Sequence, residues 1–297
     1  MMVSHLHDNP ATTFLRTPRD ENAEDIVRAF ARYLIDETAS RTLPVSLNTI
    51  RKYLNLPVRR EQLPGQRGFT TDDLHIYLNA DDRETVQKFS LAHEFMEVMF
   101  LAIEAGQADK WLSDDVLIEL TKRKETLCEM GAAELVMPGH LFRELVCQQP
   151  VTLARACALA EECKVSLTAT LWRIIEMDLA PLVLIVWRRK HKPTEFVPSI
   201  VGQMTFLDSP EAMDPPKKMR VERVFVSPTF RGFIPTGKSV QATSVIDQAF
   251  SNGAPTSGID ALDVGPLCGH YYVEAKPVHV DGERRVMSLI YLDREQR

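Results

Sequence analysis

The sequence predicts an α+β chain, and three observations carry that expectation. Apolar residues at three-to-four spacing mark residues 23–36 as a one-faced helix. The alternating run at 74–79 reads as a half-buried strand that leads almost directly into a long apolar helix ending near Glu104. Short β-prone runs at 182–187, 221–226, 271–275 and 286–292, separated by turns, describe a C-terminal α+β part. With 297 residues, 44% hydrophobic and 26% charged, the chain can bury a sizeable core and hold two or three domains.

Taken in order, residues 1–20 are polar, contain Pro10 and Pro18, and lack periodicity, so they read as a disordered lead-in. A first domain then spans 21–145. Its opening helix places Ile26, Val27, Phe30, Tyr33 and Leu34 on one face, and a second helix follows near 47–54. Pro57, Pro64, Gly65 and Gly68 punctuate the approach to the strand at 74–79. Asp81 and Glu84 have capping-box spacing, after which Val86, Phe89, Ala92, Phe95, Met96, Met99 and Phe100 form a wide apolar helix face.

Residues 146–180 read as a helix-turn-helix unit, with helices at 156–163 and 166–177 joined at Lys164-Val165 and Ser166 as N-cap. Its second helix offers one basic residue, Arg173, and Glu161-Glu162 precede the turn. Phosphate neutralisation needs several cations, so the unit is expected to be structural or partner-docking, and direct DNA binding is argued against. Residues 181–297 form the last part, with one helix near 239–250.

Lys plus Arg total 35 against 41 Asp plus Glu, a net charge of −6 that provides no general attraction to nucleic acid or anionic lipid. The N-terminus lacks the pattern of a signal peptide, and the longest apolar run, 179–187, is about half a bilayer span. A soluble, cytoplasmic protein without a membrane role is expected. Five cysteines, odd in number and without CxxC pairing, are read as reduced core residues.

The chemistry centres on His93-Glu94-Phe95-Met96-Glu97. In a zincin HExxH helix, residues i and i+4 project from one face and hold a divalent metal, while the intervening Glu activates water. Here the spacing is kept but the second ligand position is Glu97. A charged patch on an ordinary amphipathic helix is the competing reading of so short a pattern. The strand at 74–79, just upstream, is suited to holding an extended peptide by main-chain pairing.

Two longer blocks are more specific. Lys88-Phe89-Ser90-Leu91-Ala92-His93-Glu94 resembles the RFTLAHE signature of ImmA/IrrE metallopeptidases, and residues 125–138, ETLCEMGAAELVMP, resemble their E-x-x-x-N-x-x-A-x-x-LLMP helix. The resemblance implies a zincin-like minimal metallopeptidase domain in which His93, Glu97 and Glu125 hold the metal and Glu94 is the catalytic base. It implies zinc first, and cleavage of a helix-turn-helix repressor protein in a stress response; the oxygen-richer shell that Glu97 gives makes manganese or iron the alternatives. It also implies a GAF-like sensor over residues 181–297. Glu97 and Glu129 depart from the family pattern, where His and Asn are usual. The alternative is therefore a catalytically impaired pseudo-peptidase acting as a sensor or docking regulator.

A third possibility, nucleotide hydrolysis, comes from Gly232 to Ser239, which fit GxxxxGKS, with residues 289–293 mimicking a Walker B strand. It ranks last. Residues 227–231 separate the preceding strand from the glycine, and Pro235 removes a phosphate-binding N–H.

Overall fold

In the computed structural model, residues 6–18, 21–192, 216–280 and 282–292 are described. The chain is α+β and packs into two compact units: Met1–Pro150 with Arg155–Arg173, and Val151–Ala154 with Ile174–Arg297.

The first unit begins with helix α1 (Pro10–Leu15), which corrects the expectation of a disordered lead-in. Asn9 accepts a hydrogen bond from the Ala11 N–H and donates to the Leu54 carbonyl, while Pro10 occupies the first turn, where its missing N–H costs nothing. Ala11, Phe14 and Leu15 are buried. The segment is too short to show helical periodicity, so only its contacts reveal it. Helices α2 (Ala23–Glu37) and α3 (Leu47–Tyr53) follow, the former capped by Asn22 through the Asp25 N–H.

Strands β1 (Val58–Glu61), β2 (Gly68–Thr70) and β3 (Ile76–Asn79) form a sheet in the order β1-β3-β2, with β3 parallel to β1 and antiparallel to β2. The strand expected to receive a substrate peptide is therefore central, with both edges already paired. It is also shorter than the alternation suggested, because Leu74 takes a left-handed φ of 63° in a turn. Buried Ile76 and Leu78 give the sheet its inner face.

Helix α4 (Glu84–Glu104) packs against β2 and β3. Its N-cap is Arg83, without a side-chain cap, so the Asp81–Glu84 capping box does not form; Asp81 lies in the turn, its N–H donating to Asn79 Oδ1. After α5 (Asp114–Lys122) comes α6 (Lys124–Val136), which packs on α4 and α2 and stops before Pro138. Gly131 permits this close approach: a Cβ there would sit 2.6 Å from Val27 Cγ1 and closer still to Met96 Sδ. Gly131→Ala is expected to destabilise the unit by about 1–3 kcal/mol through overpacking, read as a lower urea midpoint with an unchanged slope.

Helices α7 (Gly139–Val146), α8 (Leu153–Cys163) and α9 (Leu167–Glu176) follow. Lys164 adopts a left-handed φ of 54° in the α8–α9 turn, and Ser166 Oγ accepts from the Ala169 N–H as the N-cap expected of it. Arg173, the one cation of this helix, faces inward rather than outward. It is 0% exposed, ion-paired with Glu134 and hydrogen-bonded to the Met137 carbonyl, so it is not presented to phosphate.

The second unit is a five-stranded antiparallel sheet in the order β5-β4-β8-β7-β6, formed by β4 (Leu182–Lys190), β5 (Lys218–Val226), β6 (Thr256–Val264), β7 (Leu267–Val280) and β8 (Glu283–Tyr291). Helix α10 (Val245–Asn252) packs against β6, β7 and β8. Trp187, Val221, Ile246, Val273 and Ile290 lie in its core, where Trp187 Nε1 donates to Ser288 Oγ. Strand β6 carries Asp260, Asp263 and Gly258, a composition that hid it in the sequence. The GxxxxGKS segment pairs with β5: Gly237 N–H donates to the Val221 carbonyl and Val221 N–H to that of Lys238. The next helix starts only at Val245, so no phosphate-cradling turn enters a helix here; Asp293 lies outside the described residues.

All five cysteines are free; Cys128 and Cys163 are buried, but Cys147 and Cys268 are exposed, correcting the expectation that all five are core residues. Among the described residues, no helix is long and apolar enough to cross a membrane.

Candidate metal centre

Helix α4 supplies three of the residues marked by the motif. His93 and Glu97, one turn apart, face the same direction, with His93 Nε2 3.8 Å from Glu97 Oε1. Glu94, the next position round the helix, turns instead towards β2, where Thr70 donates a 2.7 Å hydrogen bond to its Oε2. Gly68 leaves room for it: a Cβ there would lie 3.2 Å from Glu94 Oε1 and 3.0 Å from the Tyr77 carbonyl. Burial pushes the Glu94 carboxyl up to about 7; the Thr70 hydrogen bond opposes this rise, and the charges of Glu97 and Glu125 add to it.

Helix α6 supplies the opposing side. Glu125 Oε1 lies 3.6 Å from His93 Nε2, so His93, Glu97 and Glu125 come together, with Glu94 turned to Thr70 beside them. Their exposures differ. The His93 and Glu97 side chains are 16% and 17% exposed, whereas Glu125 is 78% exposed and stands at the solvent rim. Glu129, the second departure from the family pattern, is exposed.

Two residues that the motif did not mark join them. Lys124 Nζ lies 2.7 Å from Glu97 Oε2 and 3.1 Å from Glu104 Oε1. Burial alone would depress its ammonium, but the two carboxylates prevail and its pKa is raised. Cys128 Sγ donates to Glu97 Oε1 at 3.5 Å; burial, reinforced by Glu97, pushes this thiol well above its ordinary range. The signal for Cys128 was its position three residues after Glu125, which places both on one helical face. The Lys122–Lys124 run, by contrast, reads as a solvated charge cluster until the neighbouring helix is known.

The donor atoms of His93, Glu97 and Cys128 all lie within 4.8 Å of one another. Ligand atoms about 2.0–2.3 Å from a four-coordinate zinc ion are separated by roughly 3.3–3.8 Å, so this cluster, with Glu125 beside it, fits a divalent ion after small side-chain movements. A cleft of about 820 Å³ lined by residues including Asp8, Tyr53 and His75 contains none of these groups.

Residues 51–174, which contain His93, Glu94, Glu97, Lys124, Glu125 and Cys128, match the IrrE N-terminal-like domain. The chain is 33% identical over 125 residues to the radiation response metalloprotease IrrE of Deinococcus deserti, a match covering 41% of this chain and 44% of that protein. It thus aligns with less than half the length of that relative. A Mycobacterium tuberculosis transcriptional regulator shares the fold, with a TM-score of 0.56 at 12% identity over 97% of this chain and 80% of the other. Residues 51–174 are thus similar to an IrrE N-terminal-like domain, and it is through this segment that the chain resembles the ImmA/IrrE metallopeptidases.

Proposed function

We propose that the chain is a metal-dependent endopeptidase that cuts a helix-turn-helix repressor as part of a stress response. The observation that carries this reading is the convergence of His93, Glu97 and Glu125, with Glu94 held alongside by Thr70. These three residues would hold the divalent ion, zinc first and manganese or iron as alternatives. The ion, when bound, supplies Lewis-acid polarisation of the scissile carbonyl. Glu94 accepts a proton from the attacking water and delivers it to the departing amide nitrogen. The short strand β2 lies at an edge of its sheet and carries Thr70, so it replaces β3 as the strand on which an extended substrate aligns. The helix pair is a structural or docking element, and residues 181–297 are assigned the GAF-like sensor role on the family resemblance. The name IrrE, and the activity it denotes, belong to the relative.

A second reading is favoured by the Lys124–Glu97 ion pair. It occupies one oxygen of a residue that already replaces the family's second histidine, consistent with an impaired pseudo-peptidase that docks rather than cuts.

Metal content and repressor cleavage distinguish the two. Wild type is expected to retain a divalent metal that is lost in His93→Ala and Glu125→Ala. Glu97→His should raise zinc affinity, because borderline-soft zinc prefers an imidazole nitrogen to a carboxylate oxygen, and the less anionic shell also leaves a stronger Lewis acid. Co-expression with a helix-turn-helix repressor encoded beside it should deplete that repressor. A metal-loaded wild type that leaves the repressor intact, while Glu97→His cuts it, would replace the peptidase reading with the pseudo-enzyme.

A further inference from the structure

We propose that Cys128 is a ligand of the metal, making the centre a mixed imidazole, carboxylate and thiolate site instead of the all nitrogen and oxygen set spelled by the motif. The inference rests on the metal-dependent reading above and completes the donor set of the same site.

Position argues for it first. Cys128 Sγ lies 3.5 Å from Glu97 Oε1, the same oxygen that faces His93 Nε2 at 3.8 Å. Imidazole and thiol thus converge on one carboxylate oxygen from opposite helices. Glu125, mostly exposed, approaches His93 from the solvent side, while Cys128 closes the buried side.

Charge balance argues for it second. A thiolate adds an anion to a site already rich in carboxylates. Lys124, fixed 2.7 Å from the outer oxygen of Glu97, supplies the compensating cation and orients that carboxylate so that its other oxygen points inward. The Lys124–Glu97 pair is then part of the metal site's outer support and not a competitor for it.

Ligand chemistry fixes the consequence. A soft thiolate favours zinc, whereas an oxygen-rich His/Glu/Glu set moves the preference towards manganese or iron. On binding, the Cys128 S–H bond breaks, a sulfur–metal bond forms, and the proton passes to solvent with no change of oxidation state.

Cobalt(II) provides the test, since thiolate coordination gives a sulfur-to-metal charge-transfer band that nitrogen and oxygen ligands do not. Full-length chain, stripped with a chelator, would be titrated with cobalt(II) and then competed with zinc, alongside Cys128→Ser and His93→Ala. Wild type should show the band. Cys128→Ser should lose it and bind zinc at least about tenfold more weakly. Loss of the band in His93→Ala would assign the sulfur to this centre and not to exposed Cys147 or Cys268. Should Cys128→Ser fail to fold, the wild-type spectrum and His93→Ala decide. Cobalt bound by wild type without the band, or a band that persists in Cys128→Ser, refutes sulfur ligation and leaves the metallopeptidase reading standing. Wild type that binds neither ion overturns both.

Discussion

Replacing Glu134 with alanine should destabilise the first unit by about 3–5 kcal/mol, because it strands the Arg173 guanidinium in the interior without its counter-charge. Glu134 and Arg173 are 2% and 0% exposed, so neither can turn to water. The Glu134 carboxylate accepts from Arg173, from the Gly139 N–H at 3.2 Å and from Arg32 at 3.3 Å; Arg173 also donates to the Met137 carbonyl at 3.2 Å. This cluster therefore ties the end of α6 to α7 and α9 through buried polar contacts. Burial alone would raise the Glu134 pKa, but the charge and hydrogen bond of Arg173, then Gly139 and Arg32, hold it below its ordinary value. A carboxyl depressed by folding contributes stability above its unfolded pKa, and that contribution is lost as pH falls through the folded one. Wild type should thus weaken on acidification from the ordinary glutamate range downward, with a shallower dependence in Glu134→Gln. Joint replacement by Glu134→Leu and Arg173→Met should recover most of the loss, since apolar pairs of similar volume substitute well for buried ion pairs. Denaturant midpoints followed by the helical circular dichroism signal measure all four proteins. A loss below about 1 kcal/mol in Glu134→Ala would place the pair among weak surface bridges and contradict its burial.

Arg173 also marks where sequence reasoning reached its limit. A lone Arg on the second helix of a helix pair reads as a surface cation because its partner lies 39 residues away, at a separation that periodicity cannot see. The long helix was legible to its last residue, Glu104, because its apolar pattern is strong and local. The strand before it was also visible, but its neighbours were not. Strand β1 is Val-Arg-Arg-Glu with a largely exposed side, and β2 has three residues including Gly68, so neither alternates clearly. Without them, β3 looked like a free edge. His93, Glu94, Glu97 and Glu125 were marked by helical spacing and family resemblance. Cys128 was not, since a buried cysteine among apolar neighbours has the same one-dimensional appearance whether or not it faces a carboxylate.

Glu94→Gln should leave the fold and the metal intact while lowering the rate of repressor cleavage by about 10²–10⁴-fold, the range that a positioned general base contributes. The amide keeps the shape of the carboxyl and can still engage the Thr70 hydroxyl, which now donates to Glu94 Oε2 at 2.7 Å. It cannot accept a proton from water. Glu94 is not among the clustered donors of His93, Glu97 and Cys128, so its replacement removes no ligand from that set. Stability gives an independent reading of the same variant. Glu94 is 5% exposed, and burial is the leading influence on its carboxyl, so an uncharged replacement should match or exceed wild type in thermal stability. This opposition of activity and stability is expected where a buried charge is kept for chemistry. A structural role for Glu94 predicts the reverse: a less stable protein whose residual folded fraction cuts at the wild-type rate. Cleavage rate per folded, metal-loaded molecule, measured beside the melting temperature, separates them. Unchanged cleavage in a folded, metal-loaded Glu94→Gln protein would remove Glu94 from the proton-transfer role.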